Sequence, residues 1–236
     1  MIKQILDFFF PPKCPFCSEI LTGKLPFCKE CEEKLTYTGE NACDCCGRPI
    51  EEFAYRLCPD CRTDKKYFEK IFVPLVYKDP AKHAMVQFKY YSHPSYADAF
   101  ALFLADKILK AAPDPLPFDF ITFIPQSPKT RRSRGYNQSE LIAKKLASLL
   151  RLPVRDMLIR TDDGVRQATL NAEERRKNVH KCYFSSGTKA DGTALLVDDV
   201  YTTGATFNHC SHLLIKSGCH KVYGAVMLIR SDIYEK

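Results

Sequence analysis

No run of apolar residues in this 236-residue chain approaches the length that a bilayer-spanning helix needs, so nothing in it reads as a membrane insertion. Neither G-x-x-x-x-G-K-S/T nor G-x-G-x-x-G occurs, which argues against the Walker and Rossmann routes to binding a nucleotide. An export signal is lacking as well. MIKQILDFFFPPKC carries Ile5, Leu6 and Phe8 to Phe10, but the apolar part is short, is interrupted by Asp7 and has no small-residue cleavage site. These residues are expected to form a short amphipathic helix stopped at Pro11 and Pro12, and the chain to be cytoplasmic.

Extensive disorder is excluded by composition, since 45% of the residues are hydrophobic against 27% charged. The length suits one substantial core plus a small module. The net charge of +7 suggests anionic partners, and it is local: residues 126–181 hold 14 Lys or Arg against 6 Asp or Glu. Alone, such an excess reads most simply as a solvated face.

Cysteine is abundant, with 12 in the chain and nine before residue 62. Eight form Cys-x-x-Cys pairs: Cys14/Cys17, Cys28/Cys31, Cys43/Cys46 and Cys58/Cys61. A two-residue gap lets a tight turn aim both thiolates at one metal, and two such pairs complete a tetrahedral zinc shell made wholly of thiolates. Disulfides would need an oxidising compartment, for which there is no signal. Two structural zinc ions follow. Their pairing stays open: tandem ribbons join the first pair to the second and the third to the fourth, whereas a cross-brace joins first to third and second to fourth. Cys45 breaks the spacing and is left out, and Cys182, Cys210 and Cys219 read as ordinary buried cysteines. A polar 60-residue segment would hardly fold without its metal.

Past a charged hinge at Arg62 to Lys66, the pattern becomes α/β. Lys70 to Tyr77 is strand-like and Pro80 to Tyr90 helix-like, and Phe100, Phe103, Leu104 and Ile108 mark a helix within Ser95 to Ala111. Asp119 to Pro128 reads as a strand entering a Pro-limited loop. A basic turn then leads to a helix from about Ser139, with Leu141, Ile142, Leu146, Leu149 and Leu150 facing the sheet. Arg160 to Lys181 has little apolar periodicity and is expected to be a mobile loop with a short helix. A last strand is expected from Val222 to Ile229. Strands alternating with helices imply a mainly parallel sheet, whose ligands bind beyond the C-terminal strand ends.

ALLVDDVYTTGAT, residues 194–206, falls at such an end. Ala194 to Val197 suit a strand buried on both faces, Asp198 and Asp199 place two carboxylates where it would stop, and Thr202 to Thr206 offer hydroxyls, backbone N–H groups and a glycine. The helix that follows shows Phe207, Cys210, Leu213 and Leu214 on one face and stops at Gly218. Strand, tight loop and helix N-terminus together make an anion cradle beside a diol or metal site.

This stretch resembles the phosphoribosyl-pyrophosphate (PRPP) signature of type I phosphoribosyltransferases. Together with the four cysteine pairs, CGRP at 46–49, RGYNQ at 134–138 and the series Gln167, Leu170, Arg175 and Asn178, it resembles the ComF family over essentially the whole chain. The resemblance implies a fold: a mainly parallel α/β sheet of type I phosphoribosyltransferase-like form in residues 67–236. An N-terminal helix and double zinc ribbon in residues 1–66 would precede it. It also implies roles. Asp198 and Asp199 would be the catalytic acid pair and hold the ribose 2′- and 3′-hydroxyls. Thr202, Thr203, Gly204, Ala205 and Thr206 would bind the 5′-phosphate. Pro125, Gln126 and Ser127 would form the pyrophosphate loop, with Lys129 adding charge. Gln167 and Arg175 would reach in from a flap, and Mg2+ would bridge pyrophosphate and diol oxygens. No general base stands out; His180, His209, His212 and His220 read as ordinary surface or core residues, and Tyr90, Tyr91 and Tyr136 as core or rim packing.

Three functions are compatible with these features. The family is associated with DNA uptake in natural transformation, which implies an accessory protein that keeps a Mg-PRPP site and binds single-stranded DNA and an uptake helicase. An active phosphoribosyltransferase with an unidentified acceptor is the alternative, although a zinc module stands where such enzymes carry the hood that reads the acceptor. A zinc-stabilised scaffold with a vestigial phosphate site is the third.

Overall fold

The computed structural model describes residues 11–50, 55–161 and 182–231. The expected N-terminal helix and the flap residues Gln167, Leu170, Arg175, Asn178 and His180 lie outside them. No helix among the described residues is long and apolar enough to cross a membrane.

Two short helices, α1 (Lys29–Glu32) and α2 (Pro59–Thr63), belong to the cysteine-rich region. The chain then forms β1 (Ile71–Phe72), β2 (Leu75–Val76), α3 (Ala81–Tyr90), α4 (Tyr96–Ala111), β3 (Phe120–Phe123), α5 (Pro128–Arg134) and α6 (Gln138–Leu150). It continues through β4 (Leu158–Arg160), β5 (Tyr183–Ser185), β6 (Thr193–Tyr201), α7 (Ala205–Lys216) and β7 (Lys221–Ile229). The expected strand from Lys70 to Tyr77 is split into β1 and β2 around Pro74, which has no N–H to give to a ladder. Both pieces pair in parallel with β7, which pairs with β6, which pairs with β3, all parallel. The expected parallel α/β architecture is what the chain adopts.

Successive residues of a strand point to opposite faces, and two cores follow from that alternation. Leu195 and Val197 of β6 share one core with α3, α4 and α6, while Ala194 and Leu196 share the other with α7 and the antiparallel pair β4–β5. On the first face the periodic residues behave as expected, with Phe100, Phe103, Leu104 and Ile108 of α4 buried. Helix α6 buries Ile142, Ala143, Leu146 and Ala147 instead of its full leucine set. Leu149 is 46% exposed, since it lies off the stripe that Ile142, Ala143, Leu146 and Ala147 form.

The basic stretch after Pro128, expected as a turn, is helix α5. Ser127 caps it by accepting from Thr130 N–H at 3.2 Å, Pro128 sits in its first turn, and Gly135 ends it in the left-handed region. Helix α6 starts one residue earlier than expected, with Asn137 rather than Ser139 as its cap.

The two faces position the site. β3 and β6 are neighbours, yet the helices that follow them leave to opposite faces: α6 to one core, α7 to the other. Such a divergence opens a crevice at the C-terminal strand ends.

Candidate functional site

Strand β6 does not stop at the acids. It continues through Asp198, paired with Val226, to Tyr201, paired with Ile229. The acids are therefore held by the sheet ladder rather than by a free loop. Ser139 Oγ donates to Asp198 Oδ1 at 3.1 Å, and the Asp199 N–H donates to the same oxygen at 2.9 Å. Lys89, from the last turn of α3, makes a 2.8 Å ion pair with Asp199, both side chains being largely buried. Burial, then repulsion from Asp199, pushes the Asp198 carboxyl up to about 7 against the pull of Lys89 and Ser139.

Beyond Tyr201 the chain makes the tight loop into α7. Gly204 has φ 76, and a Cβ there would collide with the Tyr201 ring, so both conformation and space require glycine. Beside it, the 124–127 loop is pinned from behind. Ile124 N–H donates to Val197 O at 3.0 Å, Asn137 Nδ2 donates to Ile124 O at 3.1 Å, and Gln126 donates to Gln138. Gln138 and Tyr136 both donate to Phe88 O, at 3.3 and 2.5 Å. The RGYNQ run thus acts as a buried clamp that ties the loop after β3 to the end of α3.

These segments line one cleft of ≈ 750 Å³. Asp198, Asp199, Thr202, Thr203, Gly204, Ala205, Thr206, Pro125, Gln126, Ser127 and Lys129 all border it. Gln167 and Arg175 fall outside the described residues. Sequence reasoning missed Lys89, Thr130, Ser139, Arg134, Arg160 and Tyr183, which also line it. Lys89 lies on the polar face of an amphipathic helix and carries no local signal. Ser139 was noticed only as a helix start, and its hydroxyl instead serves the acid pair. Tyr90 and Tyr91 are 64% and 61% exposed, so they are not core, and Tyr90 borders the cleft with Arg134 over its ring at 4.7 Å.

The cysteines resolve into two clusters, Cys14, Cys17, Cys28 and Cys31, and Cys43, Cys46, Cys58 and Cys61. This is the tandem pairing. Sulfur separations of 3.7 Å (Cys17–Cys28), 3.6 Å (Cys14–Cys28) and 3.6 Å (Cys46–Cys58) match the ~3.75 Å edge of a tetrahedron built on ~2.3 Å Zn–S bonds. Cys28 and Cys58 N–H donate to Cys14 and Cys43 Sγ. In the second cluster, hydrogen bonds from its neighbours hold the Cys43 thiol far below its ordinary value, while the Cys46 and Cys61 thiols are pushed far above theirs. Zinc binding at such a cluster requires the thiols to give up their protons. The donor sets fit structural zinc. Cys45 is outside both, and Cys182, Cys210 and Cys219 are buried.

Residues 5–62 match the double zinc ribbon domain family. The chain is 29% identical over 213 residues to competence protein ComFC of Bacillus subtilis, covering 86% of this chain and 84% of that protein. It is 26% identical over 222 residues to competence protein F of Haemophilus influenzae, covering 91% and 95%. The chain is thus similar to ComF competence proteins over most of its length. Among solved structures, a purine phosphoribosyltransferase from Pyrococcus horikoshii overlaps 56% of this chain and 72% of its own, with 16% identity and a TM-score of 0.35. The ComF resemblance therefore spans both the zinc ribbon region and the parallel-sheet domain.

Proposed function

We propose that the cleft binds PRPP together with Mg2+, and that the protein is an accessory factor of DNA uptake built around that ligand site. One observation carries the reading: the Ile124–Ser127 loop, far away in the chain, borders the same cleft as the acid pair and the Thr202–Thr206 loop that follows it. The clamp by Asn137 and Gln138 and the N-terminus of α7 support it, since they preorganise backbone donors for an anion. On this reading Asp198 and Asp199 accept from the ribose hydroxyls. The 202–206 loop takes the 5′-phosphate, and the Pro125–Ser127 loop with Lys129 takes pyrophosphate. Two adjacent carboxylates are hard oxygen donors suited to Mg2+, which would neutralise pyrophosphate charge. Residues 1–66 would be the ribbon region and 67–236 the ligand domain.

The uptake role comes from the relatives, which are named as competence proteins. Exposed Tyr90, which Arg134 of the basic helix α5 approaches, and exposed Tyr91 next to it in the chain would supply a surface for stacking single-stranded DNA bases and pairing phosphates. The zinc ribbons offer a docking surface for a helicase.

The test is calorimetric titration of Mg·PRPP into zinc-loaded protein, with an Asp198→Asn/Asp199→Asn variant as control. Saturable heat that the variant loses supports the reading. No heat, and no thermal stabilisation where about 2.7 kcal/mol is expected at 100 times Kd, removes it.

Phosphoribosyl transfer is the second reading, favoured by the acid pair standing between two anion loops in one cleft. The ribose C1–O bond to pyrophosphate would break, a bond from C1 to the acceptor would form, and the acceptor's proton would leave to water or to the departing pyrophosphate. Absence of pyrophosphate release with nucleobases, ammonia or water would sink it.

A further inference from the structure

We infer that the second zinc ribbon braces the wall of the ligand site from behind, and that Arg48 is the positioning residue that joins them. The inference deepens the proposed ligand reading and rests on it only for the identity of the ligand. Arg48 is 2% exposed, and its Nη2 donates to the Thr202 carbonyl at 2.8 Å, across 154 residues of sequence. Thr202 begins the loop to which the 5′-phosphate is assigned. Arg48 does not border the cleft; it lies behind the loop and reaches it through backbone.

The arginine is in turn held by the metal cluster from both sides. It directly follows the turn at Gly47, whose φ is 73, and its own carbonyl accepts from Cys43 N–H at 2.7 Å. A Cβ at Gly47 would press on Ile71 O and Val73, so the turn sits hard against β1, and Cys45 O accepts from Ile71 N–H at 2.8 Å. From the other half of the cluster, Asp60 lies 3.9 Å from Arg48 Nη2 and is carried by α2, between ligands Cys58 and Cys61. Metal at this cluster ties the two knuckles together, and with them the groups that aim the guanidinium.

The first cluster supplies an internal contrast. Its Phe16 and Phe27 pack on Phe103 of α4, on the opposite face of the sheet, and none of its residues borders the cleft. Of two similar ribbons, one braces a helix and the other braces the anion loop.

The experiment compares full-length, zinc-loaded wild type with Arg48→Met, which keeps an unbranched apolar stem and removes the donors, and Arg48→Lys, which restores one. Amide hydrogen exchange of residues 202–206 is read first, without ligand, alongside zinc content. Arg48→Met is expected to keep two zinc ions per chain and to exchange these amides at least tenfold faster, with the sheet strands unchanged and Arg48→Lys falling between. Affinity for inorganic pyrophosphate and for Mg·PRPP should fall about tenfold in the same order. Unchanged loop exchange in Arg48→Met, or a rise spread evenly over the sheet, overturns the inference. If Arg48→Met does not fold, Arg48→Lys decides by the same criterion. A selective rise in loop exchange, in a wild type that gives no heat with Mg·PRPP, upholds the brace and removes the PRPP reading.

Discussion

Asp198 is where cost and function meet most directly. Its carboxyl is pushed up to about 7 by burial and by Asp199, so folding favours its neutral form. The neutral form's contribution is complete below the unfolded value near ~4 and is lost as pH rises through about 7. Asp198→Asn keeps an oxygen for the Ser139 and Asp199 donors and removes the charge. It is expected to raise stability above pH 7 by about 1–3 kcal/mol, with the gain shrinking toward pH 4, while weakening ligand binding. Thermal denaturation at pH 8 and pH 5 checks this; an equal gain at both values, or a loss at pH 8, would count against it. Gly204 poses the opposite case. With φ 76 and the Tyr201 ring beneath it, Gly204→Ala should cost about 1–3 kcal/mol and abolish detectable binding of Mg·PRPP. The acids and the glycine were legible from residue type and order alone. Lys89 and Arg48 were not, because a cation's partner 110 or 154 residues away leaves no trace in its own neighbourhood.

Among the elements, the strands and amphipathic helices were readable because their periodicity is a local property. The misreadings came from tertiary contacts overriding a local cue. Helix α5 was hidden by its run of Arg and Lys with no apolar face, and it forms on its caps, Ser127 and Gly135. At α6 the expected serine start was displaced, since Asn137 takes the cap and Ser139 turns to the acid pair. Asn137 is 3% exposed and serves two ends at once, the first turn of α6 and the carbonyl of Ile124. Replacing it with Ala is expected to cost about 1–3 kcal/mol and to weaken pyrophosphate binding through the loosened 124–127 loop. Chemical denaturation and titration of inorganic pyrophosphate would measure the two effects. A stability loss with unchanged affinity would confine Asn137 to capping. The basic face of α5 makes a separate prediction. Substituting Arg131 and Arg132 by Gln should reduce both the affinity for single-stranded DNA and the steepness of its salt dependence, measured by fluorescence anisotropy at several salt concentrations.

The whole molecule does not divide its cores as it divides its sequence. Cys14, Phe16, Phe27 and Cys31 share a core with α3, α4 and α6, while Cys43, Cys46 and Cys58 share the other with α7 and β4–β5. The tandem ribbons therefore straddle the β1/β2 edge, one on each face of the sheet. Stripping zinc should destabilise the ribbons and the parallel sheet together, giving one calorimetric transition at lower temperature. Two separated transitions would show the sheet domain to be independent of the metal. By itself the sequence determined the all-thiolate zinc chemistry, the alternation that builds a parallel sheet and the acid–threonine run that ends in a cradle. Each depends on residue type at short spacing, where backbone geometry leaves few choices. The tertiary structure alone decided which cysteine pairs cluster, which lysine pairs with Asp199 and which ribbon stands behind the Thr202–Thr206 loop. Those outcomes depend on how packed faces bring distant segments together, and a side chain's identity does not encode its long-range neighbour.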